Sequence, residues 1–152
     1  MKRRFIYGLM AMVAMLVMEA CTTNDGDLGF LGGHWRLELI EVDGAADEAY
    51  AGNITMAFQS NIVEISLLGD NHFRANYFGT FVREGDKLTL DYSHSSDQLQ
   101  PGQGEFGLPV QLHLTAPATF IFSIGENPGK RMTLTTINQN NQTLKYTLSK
   151  IY

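Results

Sequence analysis

The sequence predicts an all-β fold, an antiparallel up-and-down barrel of eight strands, with a β-sandwich as the alternative. Apolar and polar residues alternate with a period of two through most of the chain after Gly33, as in strands with one buried and one solvated face. Short turn sequences rich in Gly, Asn and Asp separate the alternating runs. The chain has one cysteine, so no intramolecular disulfide holds the fold, and a closed barrel would remove exposed strand edges.

The alternating runs predict the strands in chain order. Residues 45–51 are the only segment predicted to be helical, over one or two turns, and residues 93–107 are predicted to form a surface loop. The predicted inward-facing sets are Trp35, Leu37 and Leu39; Ile54, Met56 and Phe58; Phe73, Ala75, Tyr77, Gly79 and Phe81; Leu88, Leu90 and Tyr92; Val110, Leu112 and Leu114; Phe120, Phe122 and Ile124; Met132 and Leu134; and Leu144, Tyr146 and Leu148.

The first 21 residues are typical of the export and lipidation signal of a bacterial lipoprotein. Three basic residues at positions 2–4 precede an apolar run over residues 5–18, which is shorter than the roughly 20 residues of a transmembrane helix. Cys21 follows where such signals are cleaved, and lipid attachment accounts for an unpaired cysteine in an exported protein; plain secretion is the alternative. The predicted domains are a signal peptide (1–20), the lipidated cysteine with a flexible spacer (21–30) and the barrel (31–152).

The charge of the chain restricts its partners. Without residues 1–20 it has 8 basic and 15 acidic side chains, a net charge of −7. Nucleic-acid binding depends on Lys and Arg side chains that neutralise phosphates, so this balance argues against a nucleic-acid partner. It also argues against docking on anionic lipid, so we expect attachment to the membrane through the lipid anchor only. The predicted location is the outer membrane, on its periplasmic face or at the cell surface.

Several motifs match catalytic or cofactor patterns in letters only. Residues 102–107 match the dinucleotide-binding pattern, but Pro101 precedes them and no helix is predicted after them. Residues 94–97 contain His, Ser and Asp, but a catalytic triad is assembled from separated segments. The histidines lack zinc-site spacing, and His34 and His113 are expected on the polar sides of strands. The sequence therefore predicts no catalytic residue, no metal site and no cofactor.

Aromatic residues on the inward phase of the strands are the remaining functional lead. The interior of an eight-stranded barrel is either filled by side chains or holds one small ligand, and the alternation alone leaves both open. An interior packed with side chains is the favoured interpretation, and the tyrosines argue for a pocket, because each buried hydroxyl needs a hydrogen-bond partner. The predicted ligand-lining residues are Trp35, Tyr77, Phe81, Tyr92 and Tyr146.

A family resemblance rests on short motifs along the barrel. These are the Gly33-His34-Trp35 start of the first strand and its Val42-Asp43-Gly44 end, a central Tyr77-Phe78-Gly79-Thr80-Phe81, the Gly85-Asp86-Lys87-Leu88-Thr89-Leu90 hairpin and a final Leu-x-Tyr-x-Leu strand. With these motifs, residues 31–152 resemble the lipocalin-like lipoproteins of Bacteroidetes. The resemblance implies a small, usually non-enzymatic barrel with an internal cavity. In that family an arginine packs over the tryptophan, and Arg131 is the candidate for it here.

Two functional hypotheses follow. The first is an envelope binding protein that holds an unidentified small apolar or amphipathic molecule in its barrel. The alternative is a protein-interaction or inhibitor module that acts through the loops at one end of the barrel, with residues 93–107 as the contact loop. Leu99, Phe106 and Leu108, in or beside that loop, are expected to be exposed apolar side chains and motivate the alternative.

Overall fold

The computed structural model describes residues 29–93, 108–127 and 130–152. Short 3-10 turns occur at Gly29–Leu31, Asp70–His72 and Val110–Leu112. No helix in the described part of the chain is long and apolar enough to cross a membrane. The strands are β1 (Gly33–Val42), β2 (Ala45–Ala46), β3 (Ile54–Gln59), β4 (Ile62–Leu68), β5 (Arg74–Glu84), β6 (Lys87–Asp91), β7 (Thr119–Asn127), β8 (Arg131–Ile137) and β9 (Thr143–Lys150).

The strands form one antiparallel sheet that closes on itself. From β3 to β9 each strand pairs with the next in the chain, and β1 pairs with β3 on one side and with β9 on the other. Trp35 lies opposite Lys150 and Val42 lies opposite Leu144, so the first and last strands seal the cylinder. The two-residue strand β2 only extends the end of β1. The predicted all-β, eight-stranded up-and-down barrel is confirmed, in preference to a sandwich.

The two ends of the barrel differ in their connections. At the end that we call the closed end lie the Gly29–Leu31 turn and the tight β3–β4, β5–β6 and β7–β8 turns. At the other end, which we call the mouth, lie the longer connections β1–β3, β4–β5 and β6–β7 and the β8–β9 turn. The described residues of the β6–β7 connection, 92–93 and 108–118, therefore belong to the mouth.

The core fills the barrel from the closed end upward. Trp35, Leu88, Leu148 and Met132 have no exposed surface, and the Phe58 and Phe81 rings pack edge to face with centroids 5.2 Å apart. Burial on alternate residues confirms the period-two assignment for β3, β6, β8 and β9. Burial of this apolar surface is the main stabilising term for a fold that has no intramolecular disulfide.

A β-bulge changes the phase of the first strand. Leu37 lies opposite Leu148 while Leu39 lies opposite Thr147, so Glu38 is an extra residue in the ladder. Leu39 is consequently 37% exposed and Ile40 is fully buried. The prediction that Leu39 faces inward is wrong, because the bulge reverses the alternation after Glu38.

Other predicted elements differ from the structure at the mouth. Residues 110–112 form a 3-10 turn and not a strand. The eighth strand of the barrel is instead β4, which the alternation analysis did not select. Phe73 follows a 3-10 turn and is 68% exposed, so it does not belong to the inward set of β5.

The segment predicted to be helical begins as a hairpin. Asp43 and Gly44 both have positive φ, 52° and 83°, which is the backbone of a type I′ turn and suits an Asp-Gly pair. This turn pairs Ala45 with Val42 and forms β2. Local turn chemistry thus outweighs the helix preference of the alanines.

Candidate ligand site at the mouth of the barrel

The closed end is built around Trp35. Its indole Nε1 donates a hydrogen bond to the Leu31 carbonyl at 2.7 Å, and the Phe30 ring meets the indole edge to face at 5.3 Å. The Lys150 ammonium lies 5.3 Å from the centre of the indole and donates to the Phe30 carbonyl at 2.9 Å. A cation over an indole face is an attractive contact, and it fixes the Gly29–Leu31 turn across this end.

Lys150 therefore provides the cation at the tryptophan for which Arg131 was the candidate. Arg131 is exposed at the start of β8, where it lies opposite Ser149. Lys150 reaches the indole because β9 pairs with β1 in a register that places Lys150 opposite Trp35. Sequence analysis did not select Lys150, since only the closure of the barrel brings the two residues together.

Residues 108–118 lie across the mouth, and we call them the plug. Leu108, Leu112 and Leu114 are buried, and Leu112 has no exposed surface, so the prediction that Leu108 is an exposed apolar residue is wrong because it packs into the core. The Tyr146 hydroxyl, from inside the barrel, donates a hydrogen bond to the Leu112 carbonyl at 2.5 Å. An apolar set directed inward and a buried hydrogen bond thus join the plug to the barrel core.

Polar contacts fasten the plug to the neighbouring connections. The Asn138 side chain, in the β8–β9 turn, donates to the His113 carbonyl at 3.1 Å, and Gln139 donates to the Thr115 carbonyl at 2.9 Å. On the other side, His113 Nε2 lies 2.8 Å from Asp47 Oδ2 of the β1–β3 connection. The plug is therefore held at both sides by hydrogen bonds.

His113 does not lie on the polar side of a strand, as the sequence suggested. It follows the 3-10 turn in the left-handed conformation, with φ 53°, and its ring forms a hydrogen bond with Asp47, 66 positions earlier. The hydrogen bond from His113, with a smaller contribution from the backbone N–H of Ala49, holds the pKa of Asp47 below its usual value of 3.8. His34, the other histidine predicted on the polar side of a strand, lies in β1 and is half-buried, and its ring centre is 4.8 Å from that of Tyr152.

The inward side of β4 and β5 is incompletely covered near the mouth. Leu67, Ala75 and Tyr77 face inward and pack against the core, but all three are only partly buried. One step deeper, Ile65 lies opposite Tyr77 and is 1% exposed. We call Leu67, Ala75, Tyr77 and the neighbouring Tyr92 the inner mouth wall.

Tyr92 lies against the backbone of Gly79. A Cβ at Gly79 would come within 2.9 Å of both Cε1 and Cζ of Tyr92, so the ring occupies the space that any other residue at position 79 would need. The Tyr92 side chain is buried, and no described residue forms a hydrogen bond with its hydroxyl. Burial raises the pKa of this hydroxyl far above its ordinary value of 10, so it remains a protonated donor at neutral pH.

The predicted ligand-lining residues divide between two regions. Tyr77, Phe81 and Tyr92 lie together, since Tyr77 and Phe81 flank Gly79 on the inward face of β5. Trp35 lies at the closed end, and Tyr146 is fully buried with its ring 5.8 Å from that of Phe122.

All three buried polar atoms that lack a partner in the described part of the chain lie at the mouth. They are the Tyr92 hydroxyl, the Gln111 side-chain oxygen in the plug and the Asn53 side-chain oxygen just before β3. Buried polar atoms in native proteins are nearly always hydrogen-bonded, and exceptions ask for an explanation such as a ligand or an ordered water. The mouth is therefore the candidate site.

Other chemical candidates give no site. Within the residues that the structure describes, no three His, Cys, Asp or Glu side chains lie close enough to hold a metal ion. Cys21, the spacer, the His94–Asp97 cluster and the glycine-rich segment 102–107 lie outside the described residues. So does nearly all of the contact loop predicted over residues 93–107.

Comparison with known proteins identifies the family. Residues 14–151 match the model of the lipocalin-like domain family, and the chain belongs to that family. Barrels of this kind are generally binding proteins that catalyse no reaction, so the fold suggests ligand binding.

Two solved structures share the fold. A lipocalin-like protein from Bacteroides uniformis matches 81% of this chain and 100% of its own, with 15% identity and a TM-score of 0.53. An uncharacterized protein from Bacteroides eggerthii matches 79% of this chain and 98% of its own, with 17% identity and a TM-score of 0.51. No curated protein gives a significant match to the sequence.

Proposed function

We propose that this protein is an exported, lipid-anchored binding protein of the bacterial envelope that holds a small apolar or amphipathic molecule at the mouth of its barrel. The observation that carries the binding proposal is the incomplete cover of Leu67, Ala75 and Tyr77, which face inward beside a sealed core. Pockets for small molecules are mostly apolar with a few polar groups, and the inner mouth wall has this composition.

The geometry favours a ligand near the mouth over one deep in the barrel. Trp35 and Tyr146 have no exposed surface, and the Tyr146 hydroxyl is already used by the Leu112 carbonyl. A ligand that reached Tyr146 would have to displace the plug, whereas one at Tyr77 would contact surface that is already partly open. We therefore assign Tyr77, Phe81 and Tyr92 as the ligand-contacting residues.

The anchor is proposed from the sequence. Cys21 would carry the lipid, and the spacer would join it to the closed end, where the described barrel begins at Gly29. Two acyl chains suffice to hold a protein on a membrane without a transmembrane helix. Metabolic labelling with an alkyne-bearing fatty acid is expected to mark the wild-type chain, and Cys21→Ala is expected to abolish labelling and release the chain from the membrane fraction. Labelling that survives Cys21→Ala would contradict the anchor.

Native mass spectrometry tests the binding proposal on protein purified from its own host's envelope. We expect a stoichiometric small molecule, released by denaturing extraction. A second assay uses the apolar fluorescent probe N-phenyl-1-naphthylamine with the chain from residue 22 onward, which contains every described element of the barrel. Tyr77→Ser is expected to weaken probe binding, because Tyr77 faces inward.

Phe78→Ser is the matched control. Phe78 is the next residue along β5, faces outward and is 50% exposed, so the change removes a neighbouring aromatic ring from the opposite side of the sheet. Probe binding is expected to be unchanged in this variant. Equal weakening in both variants, or no bound molecule together with no probe binding, would disprove a ligand site at the mouth.

The second candidate function is a protein-interaction or inhibitor module that acts through the loops at the mouth. One observation favours it: Leu68, Phe73, Val110 and Ile137 are between 52% and 82% exposed, and all lie where strands or connections meet the mouth. Exposed apolar clusters mark interaction surfaces. This candidate predicts an empty barrel and a defined partner that copurifies with the wild type and is lost in the double variant Phe73→Ser, Val110→Ser.

A further inference from the structure

We propose that the Tyr92 hydroxyl is the polar anchor of the mouth site and donates a hydrogen bond to an uncharged carbonyl oxygen of an otherwise apolar ligand. This inference rests on the proposed function and adds the chemical class of the ligand. It depends on where the hydroxyl lies, on what the fold leaves unsatisfied and on the charges nearby.

The hydroxyl end of Tyr92 lies on the inward face of β5. Its Cζ atom, which carries the oxygen, would be 2.9 Å from a Cβ at Gly79. Strand geometry puts Tyr77 and Phe81 on the same face, one on each side of Gly79. A ligand that packs on Tyr77 would thus bring its atoms next to the Tyr92 oxygen.

The fold satisfies comparable tyrosines but not this one. The Tyr146 hydroxyl donates to the Leu112 carbonyl, and the Tyr50 hydroxyl donates to the Leu37 carbonyl at 2.7 Å. Tyr92 is as deeply buried, with 5% of its surface exposed, yet its hydroxyl has no partner among the described residues. A buried donor without an acceptor destabilises the free protein, and a ligand oxygen that accepts its hydrogen bond removes this penalty.

The described side chains around Tyr92 are uncharged, and this favours an uncharged hydrogen-bond acceptor on the ligand. The other side chains of the inner mouth wall, Leu67, Ala75 and Tyr77, carry no charge, and neither does Phe81 on the same face. Arg83, also on the inward phase of β5, lies at the closed end, 5.6 Å from the centre of the Phe30 ring. Burial is the only influence that raises the pKa of the Tyr92 hydroxyl, so no described charge acts on it, and burying a ligand carboxylate there without a cation is costly. The geometry therefore favours a ketone or ester over a fatty acid.

Three probes of matched size test the proposal: hexanophenone, hexylbenzene and 6-phenylhexanoate. The first two differ only in a carbonyl in place of a methylene, and the third carries a carboxylate. Each would compete with N-phenyl-1-naphthylamine for the wild-type chain. We expect hexanophenone to bind about tenfold more tightly than hexylbenzene, the difference that one good hydrogen bond to a buried donor provides. We expect 6-phenylhexanoate to bind more weakly than hexanophenone.

Tyr92→Phe is expected to abolish the preference for hexanophenone and to leave the affinity for hexylbenzene unchanged. Tyr146→Phe, the matched control, removes a hydroxyl that the fold already uses and should keep the preference. Thermal unfolding of the free protein gives a second measurement. Tyr92→Phe should be at least as stable as the wild type, while Tyr146→Phe should be less stable because it leaves the Leu112 carbonyl without its donor.

The outcomes separate this inference from the proposed function. Probe binding without a carbonyl preference, or with a preference that survives Tyr92→Phe, overturns the role of Tyr92 and leaves the mouth site intact. Tighter binding of 6-phenylhexanoate than of hexanophenone overturns the uncharged class. A loss of stability in Tyr92→Phe equal to that in Tyr146→Phe shows that the fold itself uses the hydroxyl, which also overturns the inference. Absence of binding by all probes overturns the proposed function.

Discussion

The closed end and the mouth of this barrel are formed by the same strands but treat buried polar groups differently. At the closed end the Trp35 indole and the Lys150 ammonium each donate to a backbone carbonyl of the Gly29–Leu31 turn. At the mouth, the Tyr92 hydroxyl and the Gln111 side-chain oxygen are buried without a described partner. Among the described residues, every buried side-chain polar atom without a hydrogen-bond partner lies at the mouth, and none lies at the closed end.

The two ends also close in different ways. The closed end is sealed by a short turn from the start of the described chain, with aromatic packing and a cation over Trp35. The plug covers the mouth, and side-chain hydrogen bonds with Asn138, Gln139 and Asp47 hold it in place. Binding sites are often drawn from the less stable parts of a fold, so this contrast agrees with the proposal that the mouth holds the ligand while the closed end stabilises the barrel.

The largest expected effect is at the closed end. Trp35→Ala removes a fully buried indole and its hydrogen bond to Leu31, and we expect a loss of about 3–5 kcal/mol in the free energy of unfolding. Tyr77→Ala removes an aromatic ring that is only partly buried at the mouth, and we expect a loss of about 1 kcal/mol. Urea unfolding of both variants measures the difference. Equal losses would contradict the division of the barrel into a stabilising and a functional end.

Asn138 gives the next largest effect, because it joins the β8–β9 turn to the plug. Its amide donates to the His113 carbonyl and to Gln142, and its oxygen accepts from the backbone N–H groups of Asn140 and Gln142. Asn138→Ala should lower the free energy of unfolding by about 2–3 kcal/mol, since several groups lose their partner at a buried position.

Hydrogen exchange shows whether this loss also loosens the plug. We expect the Leu112 and His113 amides to exchange faster in Asn138→Ala. The amides at the closed end should exchange only as much faster as the lower free energy of global unfolding requires. Asn140→Ala, at an exposed neighbour whose side chain forms no described hydrogen bond, is the control and should cost about 0.5 kcal/mol or less. If amide exchange became faster by the same factor over the whole barrel, the plug would not be a separate unit of local unfolding.

The sequence predicts the barrel and much of the inner mouth wall for one physical reason. A strand of period two directs alternate residues inward, so Tyr77, Phe81 and Tyr92 could be placed on one face from their spacing alone. The same rule gave a wrong position for Leu39, because the bulge at Glu38 depends on the pairing of β1 with β9. It also took residues 110–114 for a strand, since Leu112 and Leu114 are buried two positions apart as in a strand, but the inward position predicted for Val110 is wrong because Val110 is 82% exposed on the 3-10 turn.

Contacts between distant segments could not be predicted. Lys150 meets Trp35 through the closing register, and His113 meets Asp47 across 66 positions. Neither pair has a sequence signature, because a cation beside an indole or a carboxylate depends on which strands and connections are neighbours. The missing hydrogen-bond partner of the Tyr92 hydroxyl could not be predicted either. The alternation shows that a tyrosine is buried, but not which tyrosine lacks a partner.

Gly79 allows a smaller, more local test of the mouth. Gly79→Ala would place a Cβ 2.8 Å from the Asp91 carbonyl oxygen and 2.9 Å from the Tyr92 ring. We expect a loss of about 1–2 kcal/mol in the free energy of unfolding and weaker binding of hexanophenone, because the ring has to move. Gly69→Ala is the matched control, since its Cβ would meet neighbours at 3.6 Å or more and its φ of −89° suits alanine. Unchanged binding in Gly79→Ala would show that the position of Tyr92 is irrelevant to the ligand.

The smallest expected effect concerns the contact between His113 and Asp47 at the plug and has a defined pH dependence. His113 lowers the pKa of Asp47 below 3.8, so the folded state favours the carboxylate more than the unfolded state does. The stabilisation is complete above that unfolded value and is lost as the pH falls through the lower folded pKa. The difference in Tm between the wild type and Asp47→Asn should therefore be positive near neutral pH and shrink below about pH 4.

Glu48→Gln is the control for that measurement, since it removes a neighbouring exposed carboxylate that His113 does not contact. It should leave the Tm almost unchanged, because most exposed charges contribute little. A wild-type advantage over Asp47→Asn that persists undiminished to pH 2 would show that the contact acts as a hydrogen bond independent of charge. Loss of this contact at low pH would loosen the mouth, whereas the hydrogen bonds that hold the Gly29–Leu31 turn at the closed end run from Trp35 and Lys150 to backbone carbonyls and involve no carboxylate.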